Sequence, residues 1–303
     1  MKPGQGSRTA IFVCQGRAAA DGRMAVGRFS DAVAGRLLGP DELRPVDAVR
    51  DGTTRRLEGR ERWAAESVRA CAEIMAPRTV MIDEAVAGAV TGKGVRQVVL
   101  LGAGLDTRPW RLPALESAKV FSVDHPATQA EARTRAAELT PVARQLEFAP
   151  VDLTTEPLDA ALGAAGHDRT APTVWVWEGV VPYLRKADVA ATATAVARQS
   201  AAGSVLVVNY QTPSLRTSLG RGLVNLVARL GRIETATADE PWRSTWTPAG
   251  MAGLLAARGF TVEQDADLLS LAQRLGSPTG HSRSLGNGRV AIARFTGPAP
   301  AGR

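Results

Sequence analysis

The 303-residue chain carries 37 Lys and Arg against 30 Asp and Glu, a formal charge of +7, and 45% of it is hydrophobic, enough to bury a sizeable core in one large domain or two small ones. The basic residues are nearly all arginines dispersed among acids, as in Glu58-Gly59-Arg60-Glu61-Arg62, which reads as a solvated face and not a phosphate track, so no nucleic-acid partner is expected. No apolar run approaches the roughly 18 residues that span a bilayer, Ile11-Phe12-Val13-Cys14 is too short for a signal-peptide core, and Cys14 and Cys71 read as reduced thiols, so the expected address is the cytoplasm, with no membrane partner.

Residues 9–95 read as helical, and the ends (residues 1–8 and Gly297-Pro298-Ala299-Pro300) as frayed. Phe29–Leu38 reads as a short helix stopped by Gly39-Pro40. Arg62–Met75 is a longer one, with Trp63, Ala64, Val68, Cys71 and Met75 at helical spacing. Pro77 interrupts it, and Thr79 caps a separate helix from about Val80 to Val90. From residue 96 strands and helices alternate. Strands are expected at Gln97–Leu101, Lys119–Val123, Leu146–Ala149, Thr173–Trp177, Ser204–Val208, Phe260–Glu263 and Arg289–Phe295. Helices are expected at Thr128–Leu139, Ala187–Gln199 and Pro248–Arg258. Such alternation implies an α/β fold with a parallel sheet and right-handed crossovers. The closing pair, joined by a long loop, places an antiparallel strand in it. The expected division is a helical segment over 1–95, forming a lid, and a Rossmann-like core over 96–303, within one compact domain overall.

The chemistry concentrates in Leu101-Gly102-Ala103-Gly104-Leu105-Asp106-Thr107-Arg108 and, twenty residues beyond Gly104, in Asp124 at the end of the next strand. Glycines let a backbone approach a ligand closely, and a carboxylate at a strand tip accepts hydrogen bonds from two ribose hydroxyls. The pattern is that of a ribonucleoside grip; a tight strand-to-helix turn with a solvent-facing Asp124 is the bland alternative. A dinucleotide fingerprint places a third small residue where Thr107 stands, followed here by Arg108-Pro109. A ligand without a pyrophosphate therefore suits the loop better.

These motifs, with Val151-Asp152-Leu153, Glu178-Gly179-Val180-Val181-Pro182-Tyr183-Leu184, Val208-Asn209-Tyr210-Gln211, Cys14-Gln15-Gly16-Arg17 and Ala76-Pro77-Arg78-Thr79, make the chain resemble S-adenosylmethionine-dependent methyltransferases of the leucine carboxyl methyltransferase type, actinobacterial O-methyltransferases included, over residues 9–295. The resemblance implies a seven-stranded, mostly parallel sheet with an antiparallel last hairpin. It implies S-adenosyl-L-methionine as cofactor and S-adenosyl-L-homocysteine as product. By position, Gly102, Ala103 and Gly104 would back the methionine portion, Asp124 the ribose, Asp152 with Leu153 the adenine unless Asp152 merely caps the next turn, and Glu178, whose place at the end of an apolar strand demands a donor, the amino end unless it forms a structural salt bridge. Arg17 and Arg78 would meet the carboxylate, a task suited to a guanidinium fork.

Methyl transfer from a sulfonium is an in-line displacement in which positioning does most of the work. An ionised carboxylate acceptor needs no base; a hydroxyl gains from one. His281, in the long loop before the last strand, is either that base or an exposed loop histidine. Tyr183 and Tyr210 follow strands four and five, and either orients an acceptor oxygen or sits in the core with a satisfied hydroxyl. Trp242, Trp246 and Met251 line an acceptor pocket or form an ordinary helix-packing cluster. The scattered histidines and two cysteines show no metal-binding spacing. Gln211 stands where relatives that methylate a protein C-terminus show Glu, which argues against that substrate. The expected activity is O-methylation of a small-molecule hydroxyl or carboxylate in specialised metabolism. The alternatives are a protein carboxyl methyltransferase and an NAD(P)-dependent oxidoreductase, and a homodimer is among the admissible states.

Overall fold

The structure, a computed structural model, describes residues 7–153, 155–213 and 242–297. Most of the ends read as frayed, the first six residues and the tail beyond Gly297, lie outside these; Ser7 and Arg8 instead begin a helix, the Ser7 hydroxyl accepting the Ala10 N–H. Among the described residues the chain divides into two units. One holds the residues up to Val80 together with Asp267–Gly288. The other holds Met81–Thr212, Trp242–Ala266 and the residues from Arg289 on.

The second unit is built on a seven-stranded sheet of order β3-β2-β1-β4-β5-β7-β6. The strands are β1 (Gln97–Leu101), β2 (Lys119–Asp124), β3 (Gln145–Pro150), β4 (Thr173–Trp177), β5 (Val205–Gln211), β6 (Phe260–Asp267) and β7 (Gly288–Phe295). β1 pairs in parallel with β2 and β4, β2 with β3, and β4 with β5. β7 runs the other way. Phe295 exchanges backbone bonds with Gly203 and Ser204 while Arg289 lies beside Asn209, and Arg289 and Arg294 face Asp265 and Glu263 of β6. The Rossmann-like α/β fold with an antiparallel last hairpin is therefore present.

Burial explains the strands. All five residues of β1 and of β4 are buried, as expected where helices cover both faces. Phe121, Trp175, Trp177, Leu206 and Val208 share a core with Met251 and Leu255 of a helix over Pro248–Ala256. Trp246 packs against the same cluster, which is the helix-packing reading of that aromatic group. β5 extends three residues past the expected end because its polar tail finds partners: the Asn209 amide donates to the Arg289 carbonyl and the Tyr210 hydroxyl to Asp265.

Helices depart from expectation in several places; besides an unforeseen helix at Leu158–Ala164 and one shifted to Pro126–Arg135, three departures have a clear cause. Gly39-Pro40 starts a helix, α2 (Pro40–Arg50), instead of stopping one; proline suits the first helical turn, and Glu42 accepts the Gly39 N–H at 2.7 Å. The segment before it holds just a 3-10 turn at Ala34–Leu37, pinned by Asp31 accepting the Ala34 N–H. Pro77 does not break its helix: α3 runs unbroken from Gly59 to Ala87. A buried stripe continues on both sides of the proline through Val68, Ala72, Met75, Val80 and Ile82, which offsets the roughly 3 kcal/mol that an interior proline costs. The stretch before the last strand, expected as a loop, carries two short helices at Leu268–Arg274 and Ser282–Asn287.

Candidate functional site

Strand register sets four functional positions along one edge of the sheet. Leu101 of β1 pairs with Val123 of β2 and with Trp177 of β4. The next residue on each strand is Gly102, Asp124 and Glu178, so a glycine and two carboxylates stand at one level on three adjacent strands. Asp124 pairs in turn with Pro150 of β3, two residues before Asp152. β1 is also where the strand order reverses, and in open α/β sheets the crevice at the carboxyl ends beside that reversal binds ligands.

Asp124 organises the glycine loop. One carboxylate oxygen accepts the Gly104 N–H at 2.5 Å and the other accepts the His125 N–H at 2.6 Å, while Ala103 donates to the Val123 carbonyl. Each carboxylate oxygen has a second lone pair, so this anchoring is compatible with ribose hydroxyls donating to the same group. Gly102 and Gly104 hold φ of +65° and +54°, which side chains with a β-carbon rarely adopt. Asp152 opens a turn whose carbonyl accepts the Thr155 and Glu156 N–H groups, and Leu153 packs against the core.

Glu178 forms the salt bridge that was the alternative reading for it, with a partner that sequence reasoning did not name. Arg108 is 2% exposed and donates to Glu178 at 2.8 Å, to Asp106 at 2.5 Å and to Asp83 of α3 at 2.6 Å. Arg111 adds bonds to Asp83 and to the Thr107 hydroxyl. Burial works against a charged Arg108, but Asp106, Glu178 and Asp83 prevail and hold its pKa far above the usual value. The need of Glu178 for a buried donor was legible; the supplier, in the Asp-Thr-Arg end of the glycine loop, was not.

Of the three residues read as catalytic, Tyr210 has its hydroxyl engaged inside the core. Its ring is fully buried and its hydroxyl donates to Asp265 at 2.6 Å, which also receives Arg289 at 2.9 Å. Burial first, then the Asp265 carboxylate, push the phenol above its ordinary range against an opposing Arg289. Its hydroxyl is thus satisfied within the fold, as the core reading of this tyrosine expects. Tyr183 is half-buried on the 3-10 turn Val181–Tyr183, five residues after Glu178. His281 belongs to the first unit, where its Nδ1 and backbone N–H both meet the buried carboxylate of Glu73, at 2.9 and 3.0 Å. Arg17 and Arg78 belong to that unit too, each 6% exposed. Arg17 donates from Nε to Asp31 at 3.0 Å, and both guanidiniums act electrostatically on the Cys71 thiol.

The leucine carboxyl methyltransferase profile matches residues 10–197. The chain belongs to that family. It is 33% identical to a Mycobacterium marinum protein over 229 residues, 66% of this chain and 71% of that one. It is 40% identical to a Streptomyces coelicolor protein over 128 residues, 42% of this chain and 44% of the other. Both bear the name "Putative S-adenosyl-L-methionine-dependent methyltransferase". The chain spans about half the length of several such curated relatives, 44% and 47% in two cases. A crystal structure from Thermobifida fusca, titled a "putative methyltransferase", superposes over 97% of both chains with a TM-score of 0.55 at 16% identity, which shows the fold. Among the described residues no helix is long and apolar enough to cross a membrane.

Proposed function

We propose that this family member is a cytoplasmic S-adenosylmethionine-dependent methyltransferase that acts on an oxygen of a small-molecule acceptor, in specialised metabolism. The observation that carries the reading is the alignment of Gly102, Asp124 and Glu178 at one level beside the strand-order reversal, with Thr107-Arg108-Pro109 in place of a pyrophosphate loop. The donor set suits the cofactor: a carboxylate for a ribose diol, a second for an ammonium, and a turn of positive-φ glycines against its backbone face. The cofactor supplies an activated methyl group on a sulfonium.

Asp124 holds the ribose hydroxyls and Glu178 the ammonium, while Gly102, Ala103 and Gly104 back the methionine portion. Asp152 and Leu153, after β3, take the adenine side. The assignment of Arg17 and Arg78 to the cofactor carboxylate rests on the family resemblance, and that of His281 to acceptor deprotonation on its place in the segment before the last strand. Tyr183 follows Glu178 closely enough to orient the acceptor oxygen. A carboxylate acceptor needs no base, in keeping with the family's name; a hydroxyl acceptor needs its proton taken by a residue such as His281. Gln211, in place of a glutamate, favours a small molecule over a protein C-terminus.

Calorimetric titration with S-adenosylhomocysteine and with NADH tests this, with Asp124→Ala as control. Binding of S-adenosylhomocysteine alone, lost in the variant, is the expected result. Binding of NADH alone would reassign the glycine loop to hydride chemistry.

A further inference from the structure

Each of the three nitrogens of the Arg108 guanidinium meets a different carboxylate, and each carboxylate comes from a different element. Nε donates to Asp83 near the end of α3, Nη1 to Asp106 in the glycine loop, and Nη2 to Glu178 at the tip of β4. The Arg108 backbone N–H also donates to Asp106, at 2.9 Å. Arg111 holds the second oxygen of Asp83 at 2.6 Å, fixing the far side of the assembly. The Arg108 side chain is 2% exposed and that of Glu178 10%, so the pair is shielded from screening by solvent. A lysine offers a single nitrogen and no planar fork, so it cannot present three separate nitrogens to three carboxylates on different elements.

We propose that Arg108 is a positioning residue that acts through Glu178: by locking that carboxylate to the glycine loop and to α3, it sets the geometry in which Glu178 meets the ammonium of the ligand's amino-acid end. This rests on the assignment of Glu178 made under the proposed function. The ribose end of the site has its own anchors, since the Asp124 carboxylate is fixed by the Gly104 and His125 N–H groups and not by Arg108. Loss of Arg108 therefore affects the two ends of a ligand unequally.

The test compares S-adenosylhomocysteine with 5′-methylthioadenosine, which keeps the nucleoside and lacks the amino-acid end. Affinities are measured by calorimetry for the full-length wild type, Arg108→Gln, Glu178→Gln and the double variant, with circular dichroism and melting to verify folding. Arg108→Gln is expected to weaken S-adenosylhomocysteine by about 10- to 100-fold, the span of a charge-assisted hydrogen bond, and 5′-methylthioadenosine by less than about twofold. In the Glu178→Gln background the Arg108 substitution should add almost nothing, because its effect passes through the same carboxylate. Equal losses for both ligands, additive losses in the double variant, or no loss at all would each overturn the proposal. If Arg108→Gln does not fold, Arg108→Lys keeps a cation without the fork and should show the same ligand-selective loss. A wild type that binds neither ligand rejects the cofactor reading itself, a result distinct from equal losses in a wild type that binds both.

Discussion

A β-carbon on Gly102 would clash with Cγ2 of Val180, so the tip of β1 and the segment after β4 approach each other as closely as a glycine allows. Gly102 lies one residue past Leu101, and Val180 lies three residues past its partner Trp177 and two past Glu178. Gly102 thus serves twice, through this approach and through its φ of +65°.

Gly102→Ala should cost about 1–3 kcal/mol for overpacking and a further 1–2 kcal/mol or so for the left-handed backbone, and should weaken S-adenosylhomocysteine binding by displacing the loop. Adding Val180→Ala removes the steric part and leaves the backbone part. Melting temperatures and calorimetric affinities of the two variants check this; full recovery in the double variant would show that φ carries no cost here.

Tyr210→Phe separates a structural tyrosine from a reacting one. The hydroxyl donates to Asp265, which keeps Arg289 as a partner when the hydroxyl is gone. The expected result is a loss of about 1.5–3 kcal/mol in stability, the usual worth of such a bond to a charged group, with S-adenosylhomocysteine affinity unchanged. Wild-type melting combined with lost turnover, on an acceptor found by screening, would return Tyr210 to the reaction.

On helix α1 (Arg8–Ala20), a β-carbon at Gly16 would lie 2.5 Å from the Cys71 sulfur and 3.0 Å from Met75 Cγ. Gly16→Ala should destabilise the protein by about 1–3 kcal/mol, and Cys71→Ala in the same chain should restore part of it. The Cys71 thiol is pushed up to about 11 by burial, against the lowering effect of Arg78 and Arg17. Native protein should consequently leave Cys71 unalkylated near pH 8 and release it to the reagent on denaturation, which mass spectrometry reads directly.

The sheet and the tips of its strands were legible because their signals are local. Five buried residues in a row, a glycine turn and an acid at fixed spacing need no knowledge of distant contacts, and β1 and β4 fall at their expected bounds. What escaped reading depends on partners far along the chain. Pro77 looks like a break until the buried stripe on both sides of it is seen. Gly39-Pro40 is a stop or a start according to whether Glu42 turns back to cap it. Tyr210 and Asp265 lie 55 residues apart, and Asp83 and Arg108 lie 25 apart, so neither pair leaves a periodic trace. The charged knot that fixes Glu178 was hidden for the same reason, although an arginine directly after a glycine loop is a signal that it is not an ordinary surface residue.

His167 gives the fold a calculable acid sensitivity. Its ring lies 5.5 Å from that of Phe121 and 5.4 Å from that of Trp175, and Nε2 meets the Thr173 hydroxyl at 2.9 Å. Burial lowers its pKa from 6.5 to about 4, with Lys119 adding to the shift and Asp168 opposing it. The native ring is therefore neutral across a range in which the unfolded chain takes up a proton. A depressed folded pKa means that the contribution to stability is complete above pH 6.5 and is lost progressively as the pH falls towards about 4. Urea unfolding of wild type and His167→Gln at several pH values between these limits measures it. The wild type should lose more stability than the variant over this window and run parallel to it above pH 6.5; parallel curves throughout would mean that the ring is protonated alike in both states.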